Sequence, residues 1–359
     1  MPPPPRSWRD RAAVSAVNER FLRACRREPV DATPVWFMRQ AGRSLPGYRA
    51  IRERATLAEI VRDPALCAEV TLQPVEHLGV DAAILFADIT TPLAGIGVDL
   101  EIVDGVGPVI ERPIRTAADV AALRPFDAEA AVGPLLEAIR IVRRASPVPL
   151  IGFAGAPFTL ASYLVEGRGS RDATAMRTLI RDDPAVATAL LDRLVDMTIA
   201  YVQAQVAAGV QAVQFFDSWV GALGPFAYER FVLPPMWRLF GGIADLDVPT
   251  IHFGTGTAGL LRLMAAAGGD VIGVDWRVAI DDAWAMVPDR AIQGNLDPAS
   301  LLGSWDDIAV EAAWILRQVN GRPGHVFNLG HGVLPATDPD ALRRLADLVH
   351  AARVPAAVG

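Results

Sequence analysis

PVWFMRQAGRSLPGYR, residues 34–49, turns abruptly from an apolar run, Val35 to Met38, into the polar loop Arg39-Gln40-Ala41-Gly42-Arg43. A buried strand ending in a glycine-containing loop with two guanidinium groups is an odd device for stability. Each guanidinium is a fixed fork of donors that matches a carboxylate or a phosphate. Gly42 lets the loop turn tightly or approach a ligand. The stretch reads as a strand that delivers an anion grip at its C-terminal end; the alternative is a solvated pair of charges on a surface loop.

The same unit recurs along the chain. After Pro34–Met38, short apolar runs follow at Asp81–Phe86, Val148–Phe153, Gln211–Phe216, Val248–Phe253, Val271–Val274, Arg290–Gly294 and His325–Asn328. Helical patterns lie before and between them, at Ser15–Glu28, Thr56–Asp63, Pro64–Gly79, Asp127–Ala145, Asp183–Ala208, Pro225–Ala244, Thr257–Ala267, Trp305–Val319 and Asp338–Ala352. Thr56 with Glu59 forms a capping box, and Pro64 and Gly79 bracket the helix after it. Val98–Val103 and Pro108–Ile110, with Asp104-Gly105 between them, predict a small hairpin excursion. Alternating strand and helix implies a parallel sheet, and eight such units fit a single (β/α)8 TIM-type barrel over residues 14–353. Residues 1–13 and 354–359 read as tails. An open doubly wound sheet is the rival, but no GxGxxG follows the first strand.

Composition narrows the chemistry. The chain has 359 residues, 52% of them hydrophobic, enough for a large core. No uninterrupted apolar run reaches the ~18 residues of a membrane span, and MPPPPRSWRDRAA lacks the apolar stretch of a secretory signal. Cys25 and Cys67 are isolated, with no CxxC spacing. A cytoplasmic protein without membrane contact is expected. A net charge of −7 argues against a general nucleic-acid surface. All 34 basic residues are arginine. Without lysine there is no Schiff-base nucleophile, no pyridoxal phosphate anchor and no Walker A motif.

In a barrel, chemistry gathers at the C-terminal ends of the strands. Those ends carry Arg39 and Arg43, then Asp88, then Tyr163 on the helix after the third strand. Asp217 and Ser218, His252, Asp275, Asn295 and His331 follow in turn. Asp88, Asp275 and Asn295 also suit turn caps, and His331, between two glycines in NLGHG, also suits a structural histidine. The five histidines are scattered without HExxH or HxC, so no metal is expected.

With these motifs assembled, the chain resembles the uroporphyrinogen decarboxylases of haem biosynthesis. The resemblance is carried by Pro34–Arg49, Ile151–Gly167 (IGFAGAPFTLASYLVEG), Gln214–Gly221 (QFFDSWVG), Gln293–Pro298 (QGNLDP) and Asn328–Gly332 (NLGHG). It implies a homodimeric barrel, free of metal and organic cofactor, that converts the four acetate side chains of uroporphyrinogen to methyls. Arg39 and Arg43 would bind substrate carboxylates, with the backbone of Gln40, Ala41 and Gly42 against the ligand. Asp88 would accept hydrogen bonds from the pyrrole N–H groups, with Tyr163, Ser218 and His331 completing the contacts. Arg39, Asp88, Tyr163 and His331 are the expected catalytic set. The chain departs from the family pattern at Ser44, where an aromatic residue is usual, and at Gly47, where an acidic one is.

Decarboxylation leaves an electron pair on carbon, and without a lysine the substrate must supply its own sink. A pyrrole protonated at a ring carbon does so, and a nearby carboxylate stabilises the cation. Two other readings remain open. A corrinoid-dependent methyltransferase on the same fold would need a zinc-binding His-x-Cys near the fifth strand, where this chain has His252-Phe253-Gly254. A non-catalytic paralogue that binds tetrapyrroles or a partner protein would keep the grip and lose the chemistry.

Overall fold

The computed structural model describes residues 17–103 and 105–352, so both expected tails and Asp104 lie outside the described residues. The strands are β1 (Ala83–Ile84), β2 (Leu100–Val103), β3 (Gly107–Ile110), β4 (Leu150–Gly155), β5 (Ala212–Asp217), β6 (Thr250–Gly254), β7 (Val271–Gly273), β8 (Ala291–Leu296) and β9 (His325–Leu329). Seven of them pair in the order β1-β4-β5-β6-β7-β8-β9, every pairing parallel, in one curled sheet. β2 and β3 form the separate antiparallel hairpin.

The first expected strand differs from the rest. Pro34–Met38 makes one isolated parallel bridge, Val35 with Phe327. Phe327 N–H donates to Pro34 O at 2.8 Å, and Asp81 N–H donates to Val35 O at 2.8 Å, so the segment lies between β9 and the residues leading into β1. Side chains explain why no longer ladder forms. The N–H groups of Val35, Phe37 and Met38 donate to Asp81, Gln40 and Asn328, at 2.8, 2.9 and 3.0 Å. Backbone donors already satisfied in this way are not free for a neighbouring strand.

The other elements follow their local signals. Thr56 and Glu59 form the reciprocal cap of helix Leu57–Arg62, and Gly79 ends helix Pro64–Leu78 in the left-handed conformation. The segment from Pro225 breaks earlier than its Pro234-Pro235 pair, through a π turn at Tyr228–Val232. Helices Pro46–Arg52, Thr174–Asp182 and Ile280–Met286 are additions that the apolar pattern did not mark.

Two faces of the sheet can be told apart. Trp36 Nε1 donates to Gln293 Oε1 at 3.0 Å, and Gln293 Nε2 to Gln214 Oε1 at 2.9 Å. These residues lie on the 34–38 segment, β8 and β5, which are not neighbours, so the chain of bonds crosses the concave interior. Phe216, with edge contacts to Phe153 and Phe253, lies two residues further along β5 on the same face. Phe215 points the other way and meets Phe240 of helix Leu233–Gly241. At the N-terminal end, buried Asp81 gathers Arg20 (2.6 Å), Val35 N–H (2.8 Å) and His350 (2.7 Å), tying the first and last described helices to the sheet.

Candidate active site

The 39–43 loop is held under backbone strain. Arg39 and Arg43 both take positive φ, 60° and 42°, and Gly42 sits at 110°. For a non-glycine residue that conformation costs about 1–2 kcal/mol, and such strain persists where surrounding contacts enforce it. Here the Gln40 side chain is the anchor: it is buried, accepts from Phe37 N–H at 2.9 Å and donates to Ala82 O at 2.8 Å. Among the described residues, no hydrogen bond is accepted from the N–H of Ala41, Gly42 or Arg43. A run of donors through a left-handed turn forms a concavity for anions. Gly42 lies against the rings of Phe86 and Tyr48, each 3.5 Å from where its Cβ would be.

The two departures from the family pattern fall just after this loop, Gly47 in the first turn of helix Pro46–Arg52. Ser44 is buried, and a Cβ on Gly47 would stand 3.0 Å from the Gln73 amide.

Asp88 satisfies both of its readings. Its Oδ1 caps the next turn, accepting from Thr90 N–H at 2.9 Å and Thr90 Oγ1 at 2.6 Å. Its Oδ2 accepts no hydrogen bond from the described residues. One oxygen fixes the carboxylate while the other is available. Tyr163 faces this charge and that of Arg39. Its phenol is pushed above the usual tyrosine range chiefly by burial and then by Asp88, with Trp219 and Arg39 opposing. The Trp219 ring stands edge-on to Tyr163 at 5.8 Å.

Around His331, glycines set the geometry. A Cβ on Gly332 would meet Arg39 Cδ at 2.4 Å, and one on Gly330 would meet Trp276 N at 2.4 Å. The Arg39 stem and the Asp275–Trp276 backbone therefore press on this loop on either side of the imidazole. Burial first, then Arg39, Arg43 and Arg277, push the His331 imidazole down to about 4, with Asp275 opposing. His331 is neutral at pH 7 and offers one N–H and one acceptor. Arg43 is lowered to about 10 by burial and by Arg39, and it stays cationic at neutral pH.

Arg39 thus lies within electrostatic reach of Arg43, Tyr163 and His331, and Asp88 within reach of Tyr163. Ser218 sits half-buried beside Trp219, its carbonyl accepting from Thr255 Oγ1 at 2.6 Å.

Of the four other strand-end residues, Asp217 and His252 do not face this cleft. Asp217 turns to the helix layer, where Thr159 Oγ1 donates to its Oδ1 at 3.0 Å. His252 lies behind the sheet, fully buried, 3.6 Å from Asp217 and against Phe240. Asn295 donates to the carbonyls of Asp275 and Val278, at 2.9 and 2.7 Å. Asp275 accepts from Gly256 N–H at 2.6 Å. The expected full circle of rim groups is therefore broken at Asp217 and His252, because alternate residues of a strand covered on both sides point away from the interior.

Sequence reasoning passed over Thr90, Thr159, Trp219 and Arg277. The first two are legible as hydroxyls near an aspartate in sequence or fold, but their partners are set by tertiary structure. A cleft of about 400 Å³ at the opposite end of the strands, lined by Cys25, Phe240 and Asp270, holds none of the candidate residues.

The match to known proteins covers this whole arrangement. The family model for uroporphyrinogen decarboxylase (URO-D) matches residues 16–352. The chain belongs to the uroporphyrinogen decarboxylase family. A uroporphyrinogen decarboxylase of Streptomyces coelicolor is 54% identical over 339 residues, covering 94% of this chain and 95% of the relative. One from Thermus thermophilus is 53% identical, covering 94% and 98%. Among solved structures, a methyltransferase from Methanosarcina mazei aligns with a TM-score of 0.74 at 21% identity, over 92% of this chain and 97% of that one. A B12-independent methionine synthase from Shewanella aligns at 0.57 and 12% identity, over 82% and 89%. At such identities the two methyl-transfer proteins share the fold with this decarboxylase family member and nothing finer.

Proposed function

We infer that the chain is a uroporphyrinogen decarboxylase, a carboxy-lyase that converts the four acetate side chains of uroporphyrinogen III to methyls and yields coproporphyrinogen III. The observation that carries the mechanism is the divided role of Asp88, one oxygen locked by Thr90 and the other without a hydrogen-bond partner among the described residues. The free oxygen accepts the pyrrole N–H groups and stabilises the cation that forms when the ring α-carbon next to the acetate-bearing carbon is protonated. The bond between the acetate methylene and its carboxylate then breaks. Carbon dioxide leaves, and the electron pair neutralises the ring cation. This leaves an exocyclic methylene; a second proton adds to it to give the methyl, and the first proton departs from the ring carbon to restore the pyrrole.

The arginines hold carboxylates in this scheme. Arg39 clamps the reacting acetate, and Arg43 with the free N–H groups of Ala41 and Gly42 binds a neighbouring one. A guanidinium gives up its proton too reluctantly to be a good donor. Tyr163 and neutral His331 both hold a proton at pH 7, and they are the candidates for the proton that replaces carbon dioxide. The scheme needs no cofactor.

The methyltransferase reading loses support here. His252, the residue at the zinc-ligand position, is sealed between β6 and Phe240, and among the described residues no three His, Cys, Asp or Glu side chains cluster to hold a metal.

Three further proposals complete the picture. The 34–36 segment closes the sheet as the eighth stave of a (β/α)8 barrel, supported by its hydrogen bonds to Phe327 and Asp81. The enzyme is a homodimer; exposed Phe226 and Trp237, on one helical stretch, support an apolar contact face. It acts in the cytoplasm, in keeping with the absence, among the described residues, of a helix long and apolar enough to cross a membrane.

The test is anaerobic incubation with uroporphyrinogen III, with and without chelator, followed by oxidation and separation by carboxylate number. Stepwise seven- to four-carboxylate products, unaffected by chelator, are expected. Unchanged substrate with folded protein would overturn the assignment.

A further inference from the structure

Arg277 follows the turn that packs against the His331 loop, and neither the motifs of the chain nor the reaction scheme uses it. Its backbone belongs to the turn after β7. That turn presses on the His331 loop, since a Cβ on Gly330 would lie 2.4 Å from Trp276 N and 2.9 Å from Asp275 C. On the other side of the same loop, Gly332 meets the Arg39 stem. His331 thus lies between two arginines, Arg39 and Arg277.

The side chain is held without being hidden. Arg277 Nη1 stands 2.5 Å from Asp275 Oδ2, and the guanidinium lies over the Trp276 ring at 4.0 Å. Yet the side chain is 53% exposed, while Asp275 is 1% exposed. Asp275 does not need this guanidinium for satisfaction. Its oxygens already accept from the backbone N–H groups of Gly256, at 2.6 Å, and of Arg277 itself, at 3.1 Å. A buried carboxylate and an aromatic face fix one edge of the guanidinium and leave its remaining N–H donors facing out. Such pre-organisation lowers the entropy lost on binding an anion. The charge of Arg277 also acts on His331 together with those of Arg39 and Arg43.

We infer that Arg277 is a further carboxylate-binding residue of the cleft, gripping a perimeter carboxylate of the tetrapyrrole on the side of His331 away from Arg39. The inference rests on the decarboxylase reading for the identity of the ligand. It adds a subsite to the 39–43 loop: a macrocycle with carboxylates all round its edge cannot present them all to one loop. Arg277 touches no reacting atom in this assignment. Its contribution is to affinity that is equal in ground and transition states, so it appears in KM and not in kcat.

The experiment compares wild type, Arg277→Gln and Arg277→Lys in two measurements. The first is equilibrium binding of uroporphyrin, the oxidised polycarboxylate, followed by protein fluorescence at several ionic strengths. The second is steady-state turnover of uroporphyrinogen. Arg277→Gln is expected to weaken uroporphyrin binding and raise KM by roughly tenfold, a charge-assisted hydrogen bond discounted for its exposure. It leaves kcat within about twofold and flattens the salt dependence of binding. Arg277→Lys, which keeps the charge without the fork, recovers part of the loss. Unchanged binding and salt dependence in Arg277→Gln would mark the Asp275–Arg277 pair as a structural ion pair only and overturn the inference. A fall in kcat with binding intact would do the same. Because binding is read without turnover, a wild type that binds but does not decarboxylate refutes the reaction and leaves the Arg277 result decisive on its own.

Discussion

Gly332→Ala isolates the position of one guanidinium. The glycine does not occupy the left-handed region, so an alanine is compatible with the backbone, and only space is at issue. The added Cβ would stand 2.4 Å from Arg39 Cδ, 2.7 Å from Cγ and 3.1 Å from Nε. Restoring ordinary contact, about 3.4 Å or more, displaces the Arg39 stem by about 1 Å. Arg39 is exposed, so the stem can move without disturbing the core and stability should change little. A misplacement of ~1 Å at a substrate-positioning group costs on the order of 10²-fold in rate, about 2.7 kcal/mol of barrier.

The assay is a double-mutant cycle in kcat/KM with Arg39→Ala. Truncating Arg39 removes all three of the atoms nearest the new methyl, and the double variant should match Arg39→Ala alone. A spectroscopic companion is the His331 titration by NMR. Burial and then the Arg39 charge hold that imidazole down near 4, so displacing Arg39 should raise the His331 pKa. If Gly332→Ala cost as much in the Arg39→Ala background as in wild type, the loss would arise from the His331 loop. The clamp role of Arg39 would then lose its geometric support.

Other consequences are equally direct. Asp88→Ala should lower kcat by about 10³-fold or more, and Thr90→Val, which releases only the capped oxygen, by roughly tenfold; near-normal turnover in Asp88→Ala would refute the mechanism. His325, buried against Gly294 O at 3.0 Å, is pushed down to about 4 by burial, as is His331. Both folded values lie below the unfolded value of ~6.5, so the unfolded chain binds more protons between pH 4 and 6.5. Stability should therefore fall as pH drops through that window, by up to about 3 kcal/mol per histidine. Urea midpoints from pH 7 to 4 would read this, and a slope unchanged by His325→Gln would count against it. Asp81→Ala should cost about 3–5 kcal/mol by leaving Arg20 and Val35 N–H without their buried acceptor; calorimetry showing an unaltered Tm would contradict that account.

Much of this molecule is written in local sequence. Apolar runs between helical patterns are enough to mark β4, β5, β6, β7, β8 and β9, because a strand covered on both faces must be apolar throughout. The Thr56–Glu59 box and the Gly79 stop are equally legible, since caps depend on residues only a few positions apart. The two arginines, the histidine between glycines and the aspartate after Phe86 stood out as polar groups at the ends of such runs. The absence of lysine alone removed whole classes of chemistry.

The tertiary structure decided what local patterns leave open. A run buried on both faces does not say which residues point inward, so Asp217 and His252 looked like rim groups and proved to belong to the helix layer. The ladder at Pro34–Met38 was lost to Asp81, Gln40 and Asn328, acceptors distant in sequence or hidden in the next turn. Asp88 could be a cap or a site residue until Thr90 was seen to occupy only one of its oxygens. The glycines of NLGHG announced a bent loop, but that they make room for Arg39 and Trp276 is a fact about side chains from other strands. Residue types and spacing determine which groups are available. Only the folded chain determines which of them share a cleft, because electrostatic and steric coupling depends on distance through space and not along the sequence.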